Sequence, residues 1–357
     1  MSLRCVGPAT APAAAARRAG AVALVAALAS MLPGCAAGPM GPAATSGVAA
    51  PQSAGPTLAS PSQTPDATPS STAPTPVQSE TPPRPTDTPT TSSGPPAHFS
   101  AQPVSVGRLL LTTLAGAASG VTMRVWVWLP PQYDDPAYAH KVFSVLTLYP
   151  GGDGLNYTQF FDAQKVGIVA EGAAAGRLSP FILVEPQLQP SVSLDTECTD
   201  LAGLPKVGTF MEQDVPAMLR ASFRVAPTRS GWGVGGVSSG AYCASKLLFA
   251  RPDVWSAGAS LGGYFVIDTS LPAGRTSAAL ATSPQAVAES RPPVVVLRAW
   301  VGNSDRHALQ QNRDFFKVLR SPTQADLKVV DGNHTWVTFQ QLLPEMFSFF
   351  TEHLDRP

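Results

Sequence analysis

Charged side chains are scarce in this sequence. They make up 13% of its 357 residues, and 24 basic residues balance 24 acidic ones, so the formal net charge is zero. A chain without an excess of positive charge creates no field that attracts nucleic acid or an anionic membrane surface. We therefore expect no nucleic-acid partner and look for a small-molecule or cell-envelope substrate instead.

Aromatic residues are missing from a long segment near the N-terminus. Residues 36–97 contain no Phe, Tyr, Trp or Ile, yet they hold 15 of the 37 prolines. Such a segment has too little apolar surface to offset the entropy of ordering. We predict a disordered tether, rich in Pro, Thr and Ser, over residues 36–98, followed by one folded domain over 99–357.

Charge is almost absent from the first 35 residues, where Arg4, Arg17 and Arg18 are the only charged side chains. The apolar run 19–32 is too short to span a bilayer comfortably and ends in small residues, which is typical of a secretory signal. The run closes with Leu-Pro-Gly-Cys at 32–35, which resembles the lipobox of bacterial lipoproteins. That resemblance implies lipidation of Cys35 and a protein anchored at the outer face of the cell membrane. The alternative is a cleaved signal with an incidental cysteine, and then a secreted protein.

Cysteine is also rare, with four residues in the chain. Cys5 would leave with the signal and Cys35 would carry the lipid. An oxidising compartment favours pairing of the remaining two, Cys198 and Cys243, although two buried free thiols are the alternative. A bridge from Cys243 would hold the 195–200 loop beside the Gly-Val-Ser-Ser-Gly segment at 236–240, which is described below.

The folded part alternates short apolar runs with longer segments of helical pattern. The first two runs look antiparallel, and the later ones are apolar throughout, as in parallel strands that are buried on both faces. Strand followed by helix, repeated, predicts an open α/β sheet, mostly parallel, with helices on both faces. Strands are predicted at 107–114, 121–130, 142–150, 180–186, 231–237, 255–263, 293–302 and 325–332, and helices at 207–223, 239–250, 305–319 and 337–354.

The strongest local motif is Gly-Val-Ser-Ser-Gly at 236–240, which fits G-x-S-x-G between a predicted strand and a predicted helix. In that setting the central serine occupies a tight turn that presents its hydroxyl above the sheet. We predict Ser238 as a nucleophile and the backbone N–H of Ser239 as an oxyanion donor. Alone, the motif is weak evidence, because Gly- and Ser-rich turns are common.

A serine nucleophile needs a histidine base and an acid that orients it. His334 follows the last predicted strand in a Gly-Asn-His-Thr-Trp run, whereas His98 and His140 come too early and His307 and His353 fall inside predicted helices. Asp305 follows the preceding strand and is the predicted acid, although it could instead only cap the next helix. Asp331 and Asp268 are the alternatives.

The second oxyanion donor is expected in the Tyr-Pro-Gly-Gly-Asp-Gly run that ends an early strand. Glycines let backbone N–H groups approach a developing negative oxygen, where one donor is worth roughly 3 kcal/mol of barrier. We predict the Gly152 N–H, with Gly151 or Asp153 as alternatives. Asp153 and Trp336 are candidates for the substrate pocket, and Trp336 is expected to pack beside the His334 ring.

Together these motifs make residues 142–355 similar to the esterase-D-like α/β-hydrolases, a family that includes the bacterial mycolyltransferases. The segment 195–225 and the Gly-Ala-Tyr-Cys-Ala run at 240–244 resemble the exported actinobacterial branch of this family. That resemblance strengthens the Cys198–Cys243 pairing. The resemblance implies acyl-ester chemistry and identifies no substrate. Two departures matter: Ser239 stands where relatives often have Met, Ala or Glu, and Asp305 stands where mycolyltransferases use Glu.

The sequence therefore predicts a monomeric serine esterase that cleaves carboxylic esters through an acyl-enzyme on Ser238. Two alternatives remain: an acyltransferase that moves acyl groups onto envelope glycans or lipids, and a non-catalytic envelope-binding lipoprotein with a degenerate site. The sequence offers no metal-ligand cluster. The Gly-x-Gly-x-x-Gly run at 231–236 lies within a strand instead of opening a helix, so we expect no dinucleotide or other cofactor.

Overall fold

The computed structural model describes residues 97–152, 155, 158–267, 271 and 274–357. The predicted signal segment 1–35, with Cys35, and all but the last two residues of the predicted tether lie outside the described residues. No helix in the part that the structure describes is long and apolar enough to span a bilayer.

A nine-stranded sheet forms the centre of the described domain, in the order β1-β2-β3-β5-β4-β6-β7-β8-β9. Antiparallel pairing joins β1, β2, β3 and β5, and the strands from β5 to β9 in this order pair in parallel. The strands are β1 Ser100–Gln102, β2 Arg108–Ala115, β3 Thr122–Leu129, β4 Val145–Tyr149, β5 Ile182–Pro186, β6 Trp232–Val237, β7 Ala257–Leu261, β8 Val296–Gly302 and β9 Gln324–Val330.

Helices cover both faces of this sheet. The helices are α1 Thr158–Phe161, α2 Ala163–Ala174, α3 Val207–Thr209, α4 Val215–Ser222, α5 Ser239–Ala250, α6 Thr276–Ala281, α7 Pro284–Ser290, α8 Arg306–Val318 and α9 Trp336–His353. A π-helical turn, Phe210–Asp214, joins α3 to α4. Side chains of α4, α5, α7 and α8 pack into one hydrophobic cluster, and those of α2 and α9 pack into another.

The side chains of β3 alternate between the two hydrophobic clusters, which shows why two clusters form. Val125, Val127 and Leu129 belong to the first cluster, and Trp126 and Trp128 belong to the second. Successive side chains of a strand point to opposite faces of the sheet, so an apolar residue at every position requires a covering layer on each side. The predicted fold class, an α/β-hydrolase fold with antiparallel N-terminal strands and helices on both faces, is confirmed.

All eight predicted strands and all four predicted helices are present, with ends shifted by a few residues. The prediction missed β1, α1, α2, α6 and α7. The topology brings the candidate residues together, because the parallel strands β4, β6, β8 and β9 end at one edge of the sheet and each is followed there by a loop that carries one of them.

Candidate active site

Ser238 occupies a tight turn between β6 and α5. Its backbone has φ 55° and ψ −119°, a conformation that L-residues rarely adopt. The flanking glycines explain how this turn closes. A Cβ on Gly236 would lie 2.4 Å from the Gly240 backbone, and a Cβ on Gly240 would lie 2.1 Å from the carbonyl oxygen of Tyr149. The turn therefore requires glycine on both sides of the serine.

The Ser238 hydroxyl is hydrogen-bonded to His334, and His334 is hydrogen-bonded to Asp305. The distances are 2.8 Å from Ser238 Oγ to His334 Nε2 and 2.5 Å from His334 Nδ1 to Asp305 Oδ2. His334 lies in the loop after β9, and Asp305 lies in the loop after β8. The structure thus joins an alcohol, an imidazole and a carboxylate from three distant segments, in the order that proton transfer from the serine requires.

Asp305 has two functions, one for each carboxylate oxygen. Oδ2 contacts His334, and Oδ1 accepts a hydrogen bond from the Ala308 N–H at 3.2 Å, which caps α8. The sequence analysis treated helix capping and histidine orientation as alternatives, and the structure combines them. Asp331 instead accepts a hydrogen bond from Asn303 Nδ2 at 2.7 Å. Asp268 lies outside the described residues.

The loops after β8 and β9 are linked by hydrogen bonds that hold Asp305 and His334 in register. The Ser304 N–H donates to the Gly332 carbonyl at 2.9 Å, and the Asn303 side chain contacts both Gly332 and Asp331. A Cβ on Gly302 would lie 2.6 Å from the Gly332 oxygen, so the two loops approach more closely than any side chain would allow.

The loop after β4 approaches the serine turn from the other side. Gly152 has φ 71°, and its carbonyl accepts a hydrogen bond from the Ser239 hydroxyl at 3.0 Å. The Gly151 N–H donates to Gln159 Oε1 at 2.8 Å, which commits that amide and leaves Gly152 as the better candidate donor. Asp153, the other alternative and a pocket candidate, lies outside the described residues. The two residues predicted to donate to the oxyanion, Gly152 and Ser239, are therefore joined by a hydrogen bond.

A cavity of about 250 Å³ opens beside the three hydrogen-bonded side chains. Its lining includes two residues that the sequence analysis did not assign to the site, Tyr264 and His307. His307 lies in the first turn of α8, two residues after the capping Asp305, and lines the cavity. Tyr264 follows β7 and carries no motif by which the sequence could have indicated its role.

The Trp336 ring packs against residues of α1 and α2. It packs edge-on against Phe160, with centroids 6.3 Å apart, and lies 4.8 Å from Lys165 Nζ; it does not line the cavity. Phe339 packs beside the imidazole instead, at 5.2 Å from the His334 ring. Helix α9 begins at Trp336, so the residue that lies next to His334 comes one turn later.

The predicted disulfide between Cys198 and Cys243 is present. It ties the loop before α3 to the helix that follows the nucleophile. Glu197, the residue before the bridge, is buried and accepts a hydrogen bond from the Tyr264 hydroxyl at 3.4 Å. Tyr264 in turn stacks on Tyr242 at 4.9 Å. The bridged loop therefore supports the wall of the cleft, as the sequence analysis expected of its position.

No protein-family model matches the sequence. An uncharacterised protein of Corynebacterium glutamicum is 30% identical over 158 residues, which cover 42% of this chain and 36% of that relative. The match thus spans about a third of the relative's length.

Among the described residues no cluster of His, Cys, Asp or Glu could hold a metal ion.

Solved structures of esterases and hydrolases resemble this chain. A ferulic acid esterase has 19% identity and a TM-score of 0.59, covering 69% of this chain and 97% of that one. An S-formylglutathione hydrolase from Agrobacterium tumefaciens has 13% identity and a TM-score of 0.56, covering 72% and 99%. A fluorophosphonate-binding serine hydrolase of Staphylococcus aureus has 17% identity and a TM-score of 0.54, covering 69% and 99%. At identities of 19% or less, these likenesses identify the fold: this chain is an α/β-hydrolase-fold protein.

Proposed function

We propose that this protein is a serine esterase that cleaves carboxylic esters through an acyl-enzyme on Ser238. The observation that carries the proposal is the unbroken hydrogen-bond chain from Ser238 through His334 to Asp305. Each hydrogen bond has the length expected for proton transfer between a nucleophile, a base and an orienting acid. This arrangement favours an esterase over a non-catalytic protein with a degenerate site.

In the proposed reaction, His334 Nε2 accepts the proton of the Ser238 hydroxyl as the oxygen attacks the ester carbonyl. The carboxylate of Asp305 accepts the Nδ1–H, which fixes the tautomer and stabilises the imidazolium. The N–H groups of Gly152 and Ser239 donate to the oxyanion as it forms. The alcohol leaves with the proton from His334. Water, deprotonated by the same imidazole, then attacks the acyl-enzyme; the bond between the acyl carbon and Ser238 Oγ breaks, the imidazolium returns the proton to Oγ, and the carboxylic acid is released.

The shape and exposure of the site support hydrolysis of small esters. The His334 side chain is 43% exposed, so water reaches the base directly. The cavity beside it measures about 250 Å³, below the roughly 300–1,000 Å³ of pockets that enclose drug-sized ligands. We propose short-chain or single-ring acyl groups as substrates. The structural neighbours named above include a ferulic acid esterase and an S-formylglutathione hydrolase.

The test is hydrolysis of p-nitrophenyl acetate and p-nitrophenyl butyrate by the full chain. We expect turnover of both esters, and a loss of at least about a thousandfold in Ser238→Ala, since the nucleophile is then absent. Ser100→Ala, at an exposed edge strand, is the matched control and should retain full activity. Equal turnover by wild type and Ser238→Ala would contradict the proposal.

We also propose that the protein is exported and lipid-anchored through Cys35. The support is the N-terminal sequence pattern, together with a Cys198–Cys243 disulfide of the kind that persists in oxidising compartments. We expect Cys35→Ala either to appear in the medium instead of the membrane fraction or to accumulate as the unprocessed precursor. A variant that is processed and fractionates like wild type would contradict the anchor without affecting the esterase proposal.

A further inference from the structure

A second and larger cavity lies along a different face of α5. It measures about 420 Å³ and is lined by the disulfide loop, the π-helical turn, the last two turns of α5, and α6 and α7. None of the residues that line the cleft beside Ser238 lines this cavity. Its volume falls within the usual range for small-molecule sites. The proposed esterase mechanism makes no use of it.

Lys246 is the unusual residue in this wall. It lies on α5, one turn after the bridged Cys243, and only 3% of it is exposed. Its ammonium group donates to the hydroxyls of Thr199 and Thr282, the latter at 2.7 Å. Thr199 donates its own proton to the Glu197 carbonyl at 2.9 Å, and Thr282 donates to backbone carbonyls of its own helix. Both hydroxyls are thus fixed as acceptors, which fixes the orientation of the ammonium.

This cation has no carboxylate within ion-pairing distance among the residues that the structure describes. An ammonium has three N–H donors, and the two threonines account for two of them. A buried charge without a counter-ion is costly. Burial accordingly lowers the pKa of Lys246 to about 8, against the opposing influence of Glu212, Glu197 and Asp200. Among the described residues the third N–H has no hydrogen-bond partner, and Lys246 lines the cavity.

The nearby acids are occupied by other groups. Asp200 accepts hydrogen bonds from the backbone N–H and the hydroxyl of Thr209. The carboxylate of Glu212 lies 3.9 Å from the guanidinium of Arg251, and burial raises its pKa. Arg291, the residue that follows α7, adds a second cation to the lining. The wall thus combines two cations, Lys246 and Arg291, with two carboxylates, Asp200 and Glu212, that already have partners.

We propose that this cavity binds the carboxylate of a small organic acid, with Lys246 as the ionic anchor. A monoanion complements the free N–H, and Ala281 and Val287 in the same wall would contact a short apolar tail. Asp200 and Glu212 repel a phosphate dianion more strongly than a carboxylate monoanion, which disfavours phosphate. A neutral alcohol would leave the ammonium without a counter-ion. The proposal goes beyond the esterase proposal and does not depend on it.

The test is calorimetric titration of the full chain at pH 7 with butyrate, 1-butanol and inorganic phosphate. We expect saturable binding of butyrate that exceeds the binding of the other two, and a loss of at least tenfold in Lys246→Met, because a charge-assisted hydrogen bond disappears. Lys317→Met, on the exposed face of α8, is the matched control and should bind like wild type. Butyrate binding that is unchanged in Lys246→Met, stronger binding of butanol or phosphate, or no binding at all would overturn the proposal.

Two further measurements keep the test decisive if Lys246→Met does not fold. In wild type, butyrate affinity should fall about tenfold between pH 7 and pH 9, as Lys246 loses its charge; a flat profile contradicts the assignment. In Ser238→Ala, butyrate binding should be retained. Loss of butyrate binding in Ser238→Ala would place the ligand in the catalytic cleft and overturn this inference, whatever the result of the esterase assay.

Discussion

Replacement of Asp305 by Asn separates the two functions of this carboxylate. Oδ1 caps α8 through the Ala308 N–H, and Oδ2 accepts the hydrogen bond from His334. Asn is about as good a helix N-cap as Asp. An amide has no negative charge to stabilise the imidazolium, and its NH₂ group favours the wrong tautomer of the histidine. Asp305→Asn should therefore keep the fold and lose the chemistry.

The magnitudes follow from these contacts. Loss of the orienting carboxylate should lower kcat by about 10⁴, equivalent to about 5.5 kcal/mol of transition-state stabilisation. The thermal midpoint of Asp305→Asn should change little. Asp305→Ala should lose a similar amount of activity and also the cap, about 1 kcal/mol, which lowers the midpoint of a domain of this size by roughly 2–4 °C.

The assay is p-nitrophenyl butyrate hydrolysis together with thermal unfolding of the same preparations. Asp331→Asn is the matched control, because Asp331 hydrogen-bonds to Asn303 and not to the imidazole. We expect that control to retain activity within about tenfold of wild type. The reasoning is refuted if Asp305→Asn keeps more than a tenth of wild-type activity, or if Asp331→Asn loses as much as Asp305→Asn does.

Three other changes test separate parts of the account. Ser239→Ala removes the hydrogen bond to the Gly152 carbonyl and should lower kcat about two- to tenfold with little effect on KM; an unchanged kcat contradicts a positioning role. Gly240→Ala drives a Cβ against the backbone of β4 and should lower the free energy of unfolding by about 2 kcal/mol or more, whereas Gly167→Ala, with open space in α2, should be neutral or stabilising in the same urea titration. Burial holds the pKa of Lys246 near 8, below its unfolded value, so the folded state loses this proton first as pH rises. The stability of wild type relative to Lys246→Met should then rise by about 2–3 kcal/mol between pH 8 and 10.5 and be flat below pH 7; a relative stability that falls over that upper range contradicts the burial argument.

The strands were predictable because their apolar runs are short and nearly continuous. β4, β6 and β7 have every residue buried, and only a sheet covered on both faces accommodates such runs. Helix α2 was missed since its sequence, AQKVGIVAEGAA, contains two glycines and gives no clear amphipathic pattern. The three-residue edge strand β1 pairs with β2 alone and has no apolar signal of its own.

The candidate site was predictable to the extent that its residues follow strand ends. Ser238, Asp305 and His334 lie one, three and four residues after the ends of parallel strands, so topology alone brings them to one edge. Contacts that depend on helix phase were not predictable. His307 faces the cleft, and Phe339 replaces Trp336 beside the imidazole, because the exact first residues of α8 and α9 decide which side chains point inward.

The hydrogen bond from the Ser239 hydroxyl to the Gly152 carbonyl is a contact that no local sequence pattern indicates. It joins residues 87 positions apart in the chain, and it depends on the positive φ of Gly152 turning that carbonyl toward α5. Lys246 is a similar case. A lysine in the middle of an otherwise apolar helix gives no sign that two threonines from different segments will hold its ammonium inside the domain.

The most direct test of the central claim is covalent labelling of the full chain with a fluorophosphonate, followed by mass spectrometry of the modified peptide. The account predicts one adduct, on Ser238, at a rate that falls at least a hundredfold in His334→Ala, because the imidazole must take the serine proton before the oxygen can attack phosphorus. Absence of labelling, or an adduct on another residue that forms equally fast without His334, would contradict it.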